Sequence, residues 1–161
     1  ADGDIRGMLA VLVGSDAGAK IRTGGMKPES YPTTEQLSNF ILQCSLADVP
    51  FKATAGLHHP LMNHNRDIGV MQFGFLNVFL ASLLASAGEE SIEVIESVLT
   101  RSDLAGIEFG DEGVEVDGSV LGLDVIEDAR IAFSLSFGSC SIDEPVADLV
   151  GLGLLPATKG G

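Results

Sequence analysis

At 161 residues, 45% of them hydrophobic, the chain is long enough to bury a core of its own and too apolar to be disordered. Nine basic residues against 23 acidic ones give a net charge of −14, a field that repels phosphate backbones and anionic lipid and so argues against nucleic-acid and membrane-surface roles. Only two cysteines, and no apolar run behind a basic start over Ala1 to Arg6, lead us to expect a cytoplasmic protein without a signal peptide.

In chain order, Ile5 to Val13 is short and apolar and reads as a helix ending at Gly14. Ala19 to Thr23 reads as a first strand, broken by Gly24-Gly25, with a polar loop through Pro28 and Pro32. Thr33 and Gln36 form a capping-box pair that opens the clearest helix, and Leu37, Phe40, Ile41 and Cys44 follow as one apolar stripe. Asp48 and Pro50 stop that helix, and Phe51 to Ala55 reads as a second strand leading through Gly56 to His58-His59. His59 to Asp67 reads as a polar loop.

Ile68 to Ala87 carries no charge, yet it holds Asn77, Ser82 and two glycines and lacks basic flanks, so its helical part, about Phe73 to Ala87, is expected to be buried rather than to span a membrane. The Phe73, Phe75, Leu76, Phe79 and Leu80 cluster is expected to be core. Ser91 caps a further amphipathic helix with Glu93 near its positive end. Residues 106 to 122, with Asp111-Glu112-Gly113 and Asp117-Gly118, read as a small antiparallel hairpin inserted into one single domain spanning 1–161. A helix over Leu123 to Phe133, a third strand within Ser134 to Ser141, a last helix opened by Ser141 and Glu144 with Pro145 in its first turn, and a loose tail from Thr158 to Gly161 complete the chain.

This alternation predicts an α/β fold of parallel strands and helices, like the C-terminal half of a TIM (β/α) barrel, with a small open three-layer sheet as the competing architecture. Ligands bind such folds at the C-terminal ends of the strands. One edge would then gather Lys20, Arg22, Thr23, Gly24 and Gly25 with Lys52, Thr54, Gly56, His58 and His59, joined by Gly138, Ser139, Cys140 and Ser141. Neighbouring lysines in one cavity disfavour each other's charge, and an uncharged lysine can attack a carbonyl. Glycines beside a helix start leave N–H groups free for a phosphate or carboxylate.

Lys20-Ile21-Arg22-Thr23-Gly24 resembles the Lys-x-x-Thr-Gly strand of the deoxyribose-phosphate aldolase family, and Lys52-Ala53-Thr54-Ala55-Gly56 resembles the strand that follows it there. Gly138-Ser139-Cys140-Ser141 is similar to that family's hydroxyl-rich last strand. The resemblance implies a Schiff base on Lys20, Lys52 as the neighbouring cation that favours the free amine, and a phosphate held by Gly56, Ser139 and Ser141. Arg22 stands where the family has a small residue, and the family's acidic proton-transfer residue belongs to a barrel half that this sequence does not contain.

The expected function is therefore an aldolase or lyase, or half of one, acting on a small anionic carbonyl compound without a cofactor or metal, as a homo-oligomer or beside a missing N-terminal half. Two other readings stand beside it. His58, His59 and His64 offer imidazoles to a divalent metal of a lyase or hydrolase. The apolar helix and acidic hairpin would suit a non-catalytic docking domain. Cys140 as a nucleophile lacks a base partner evident in the sequence.

Overall fold

The structure, a computed structural model, describes residues 5–157. Ala1 to Asp4, which begin the acidic start, and the tail from Thr158 to Gly161 lie outside the described residues. Helix α1 (Ile5–Ala10) precedes strand β1 (Ala19–Arg22), and a short 3-10 turn (Pro28–Ser30) leads to α2 (Thr34–Leu46). Both halves of the capping box form: the Gln36 amide donates to Thr33 Oγ1 at 3.1 Å, and the Thr33 amide donates to Gln36 Oε1 at 2.9 Å. All four residues of the apolar stripe are buried. The helix ends where Asp48 takes the left-handed conformation (φ 51°) and the Val49 amide bonds back to the Cys44 carbonyl.

Strand β2 (Phe51–Thr54) pairs in parallel with β1 on one side and with β8 (Ser134–Phe137) on the other, in the order β1-β2-β8. Residues 55 to 133 intervene between these last two neighbours. They form a hairpin of β3 (Asn63–Asn65) and β4 (Val70–Gln72), helices α3 (Phe75–Ser86) and α4 (Ile92–Leu99), an antiparallel meander of β5 (Ile107–Gly110), β6 (Gly113–Val116) and β7 (Ser119–Gly122), and α5 (Leu123–Ala132). Helix α6 (Asp143–Gly151) follows β8. The chain is thus a mixed α/β protein whose parallel sheet alternates with helices.

Two expected segments differ in detail. The stretch from His59 to Asp67 contains β3 rather than running as a loop throughout, because Asn65 Oδ1 accepts from the Asp67 and Ile68 amides and Gly69 turns the chain back (φ 75°). The insertion at 106–122 has three strands, not two. Its second turn, Asp117-Gly118, has positive φ at both residues (50° and 85°), the geometry of a tight hairpin, so β7 folds back on β6 as β6 does on β5.

The parallel sheet is covered on one face only. Phe51 and Ala53 are buried while Lys52 between them is exposed, and β1 alternates in step. The Phe51 ring sits edge-on to Phe40 and Phe133, with centroids 5.3 and 5.2 Å apart. Burying such a ring contributes about 1.5–3 kcal/mol by area alone. This single covered face leaves two layers where a doubly wound sheet would have three.

Helix α3 lies in the core, with Phe75 and Leu80 buried and Leu76 and Phe79 partly so. Its one buried amide is fully used: Asn77 Oδ1 accepts from the Gly74 amide, and Asn77 Nδ2 donates to the Val98 and Arg101 carbonyls, tying the start of α3 to the end of α4. Among the described residues no helix is long and apolar enough to cross a membrane.

Candidate functional site at the strand tips

The three strands end level, and the ladder runs one residue past each. The Thr23 amide donates to the Thr54 carbonyl and the Gly138 amide to the Ala53 carbonyl. Beyond that point β2 turns sharply. Ala55 and Gly56 are both left-handed (φ 67° and 81°), a conformation that costs a residue with a Cβ about 1–2 kcal/mol. Thr23, fully buried, holds the turn by donating from Oγ1 to the Ala55 carbonyl at 2.6 Å. Backbone then lies on backbone: a Cβ added to Gly24 would stand 2.5 Å from the Gly56 Cα. The sequence suggested these glycines as anion donors; in the fold they let two strand tips touch.

Lys20, Lys52 and Ser136 lie directly across from one another on adjacent strands, all exposed on the open face. Adjacent strands run about 4.8 Å apart, so the two ammonium stems are immediate neighbours. Arg22, on the same face, turns toward the tips and donates from Nε to the Gly24 carbonyl at 2.7 Å. Thr54 donates its hydroxyl to the Ile21 carbonyl at 3.2 Å and serves the sheet itself.

At the tips lies a cavity of about 480 Å³ lined by Gly25, Gly56, His58, Ser139 and Cys140, with Tyr31 and Gln72 closing one side. Gln72 donates to the Tyr31 hydroxyl, which donates to the Gly25 carbonyl. A second cavity of about 360 Å³ shares His58, Cys140 and Gln72 and extends to His59, His64 and Glu144. Neither cavity is lined by Lys20 or Lys52. The strands therefore present two groupings: cations on the open face, and imidazole, thiol and hydroxyl around the tip cavities.

The adjacent histidines diverge. His58 Nδ1 lies 3.0 Å from Ser139 Oγ and 3.5 Å from Glu144 Oε2, with Cys140 Sγ 3.8 Å from both ring nitrogens. His59 Nδ1 instead meets Asp148 Oδ2 at 2.5 Å. His64 is exposed on β3, opposite Met71. Among the described residues no three side chains of His, Cys, Asp or Glu are grouped to hold a metal ion, and each of the first two histidines faces its own carboxylate.

Those carboxylates were missed in the sequence, where Glu144 counted only as the partner of Ser141 in a helix cap. That cap is weak, with the Glu144 amide 3.5 Å from Ser141 Oγ. A signal was present: Glu144 and Asp148 stand four apart, on one face of α6, as a pair of acids able to meet a pair of adjacent bases.

No protein-family model, curated protein or solved structure matches the chain.

Proposed function

We propose that the chain is the closing portion of a (β/α) barrel enzyme that acts on a small anionic carbonyl compound through a Schiff base on Lys20. The observation that carries this reading is the in-register pair Lys20 and Lys52 on the open face of a sheet whose strands follow chain order. In a barrel the face turned away from the helices is the interior, and catalytic side chains come from the C-terminal ends of several strands. The order β1-β2-β8, helices against one face and polar side chains on the other, supports that arrangement. The resemblance of the Lys20 and Lys52 strands to those of deoxyribose-phosphate aldolases supports it too.

Lys20, Lys52 and Arg22 concentrate positive charge in a chain of net charge −14, and like charges so close are relieved by an anion between them. The Lys20 amine would attack the carbonyl carbon, a C–N bond would form, and the carbonyl oxygen would leave as water. The reading also requires the bare face and the open edge of β8 to be covered, by a preceding barrel half or by a second copy, since parallel sheets are normally buried on both faces.

The test is borohydride trapping with a panel of phosphorylated and carboxylated aldehydes and ketones, read by peptide mass spectrometry. The expected result is a reduced adduct on Lys20 that disappears in Lys20→Met. No adduct on Lys20 or Lys52 across the panel would overturn the reading.

A further inference from the structure

We propose that Cys140 is a thiol nucleophile for small carbonyl electrophiles entering the tip cavity, with His58 as its base and Ser139 and Glu144 as positioning residues for the imidazole. This goes beyond the lysine reading and does not depend on it, because it uses different residues on a different side of the strand ends.

Counting hydrogens sets the imidazole's tautomer. Ser139 Oγ gives its only hydrogen to the Ser141 carbonyl at 2.7 Å, and also accepts from the Ser141 amide. Toward His58 Nδ1, 3.0 Å away, it can therefore only accept, so Nδ1 carries the ring hydrogen. Glu144 Oε2, 3.5 Å from the same nitrogen, places negative charge where a protonated ring would need it. Nε2 is left with the ring's lone pair, and Cys140 Sγ lies 3.8 Å from it. The sulfur is equidistant from the two nitrogens, and the proposed proton transfer requires the exposed Cys140 side chain to turn its hydrogen toward Nε2.

Base, nucleophile and orienting groups thus follow the logic of thiol–imidazole catalysis. His58, Ser139 and Cys140 line a cavity of about 480 Å³, room for a small metabolite, while Glu144 lines the neighbouring cavity that shares His58 and Cys140. The step balances without a co-reactant. The thiol proton passes to Nε2, an S–C bond forms as the carbonyl π pair moves to oxygen, and that oxygen takes the proton back from Nε2, giving a hemithioacetal.

The test is alkylation of the folded full chain by iodoacetamide at pH 7, quantified peptide by peptide. Cys44, buried in the core, is the internal control for intact folding. Cys140 is expected to react about tenfold or more faster than the same run of residues in a short peptide, and His58→Gln to remove that advantage. Glu144→Gln, a change at an exposed position, is expected to lower the rate several-fold, whereas Asp148→Asn, whose carboxylate pairs with His59, leaves it unchanged. Glyoxylate, a small anionic aldehyde, is expected to protect Cys140, and acetate is not. A wild-type rate equal to the peptide's, or one unchanged in both His58→Gln and Glu144→Gln, would overturn the proposal whatever borohydride trapping finds at Lys20.

Discussion

On the covered face of the parallel sheet, Phe51 and Ala53 are almost wholly buried, with the Phe51 ring against Phe40 of α2 and Phe133 just past the end of α5. One residue along the same strand, on the open face, Lys52 stands exposed between Lys20 and Ser136. The first face obeys packing: its residues are as apolar and as closely fitted as the space allows. The second obeys nothing that folding alone demands. Two adjacent ammonium groups contribute no stability there, and their presence in an acidic chain is easier to explain by what they contact than by what they hold together.

The largest expected effect comes from exchanging neighbours across this divide. Phe51→Ala should cost about 3–5 kcal/mol, the range for emptying a well-packed aromatic site. Lys52→Ala should change stability by no more than about 0.5 kcal/mol, as exposed substitutions do. Urea unfolding of both variants reads the difference directly. A Lys52→Ala cost approaching that of Phe51→Ala would mean that the open face is packed against something after all.

A second test addresses the seam where the faces meet. A Cβ on Gly56 would lie 2.8 Å from both the Gly24 Cα and the Thr23 carbonyl oxygen, at a φ of 81°. Gly56→Ala should therefore cost about 2–4 kcal/mol, from left-handed strain together with the forced separation of two strand tips. It should also blunt the Cys140 alkylation rate, because His58 follows the turn by two residues. Ala55→Gly should act oppositely on stability, gaining about 1 kcal/mol by relieving the same kind of strain. If Ala55→Gly destabilised the protein, the turn would be held by more than the Thr23 hydroxyl.

These contrasts also mark what the sequence could reveal. The Thr33 cap, the stripe from Leu37 to Cys44, and the three parallel strands alternating with helices were legible because each is written in short-range spacing. The β3 strand was not, since Asn63-His64-Asn65 offers no apolar alternation to detect. The tip cluster was legible in outline, since the strand order gathers His58, Ser139 and Cys140 on one edge, but that His58 stands directly beside Cys140, 82 residues further along the chain, depends on how the strand tips pair. Lys20 and Lys52 were recognised as neighbours, and the register makes them so. Their placement on the open face, outside the lining of the tip cavities, depends on where those cavities close, which no spacing encodes.

Buried Cys44 extends the contrast between covered and open surfaces to pH. Burial pushes the Cys44 thiol up from 9.0 to about 12, because the core does not solvate a thiolate. In the unfolded chain the same thiol ionises from pH 9 upward, releasing a proton that the folded state retains. Its contribution is fully present below pH 9 and is lost as pH rises from 9 toward 12, at about 1.4 kcal/mol per pH unit. Urea midpoints between pH 8 and pH 10.5 should therefore fall more steeply for the wild type than for Cys44→Ala. That variant starts lower, from its small cavity, but lacks the ionisable group. Every other group is common to both proteins and drops out of the comparison. Equal alkaline slopes for the wild type and Cys44→Ala would mean that water reaches the α2 side of the core, and the separation between a dry face and a wet one would no longer hold.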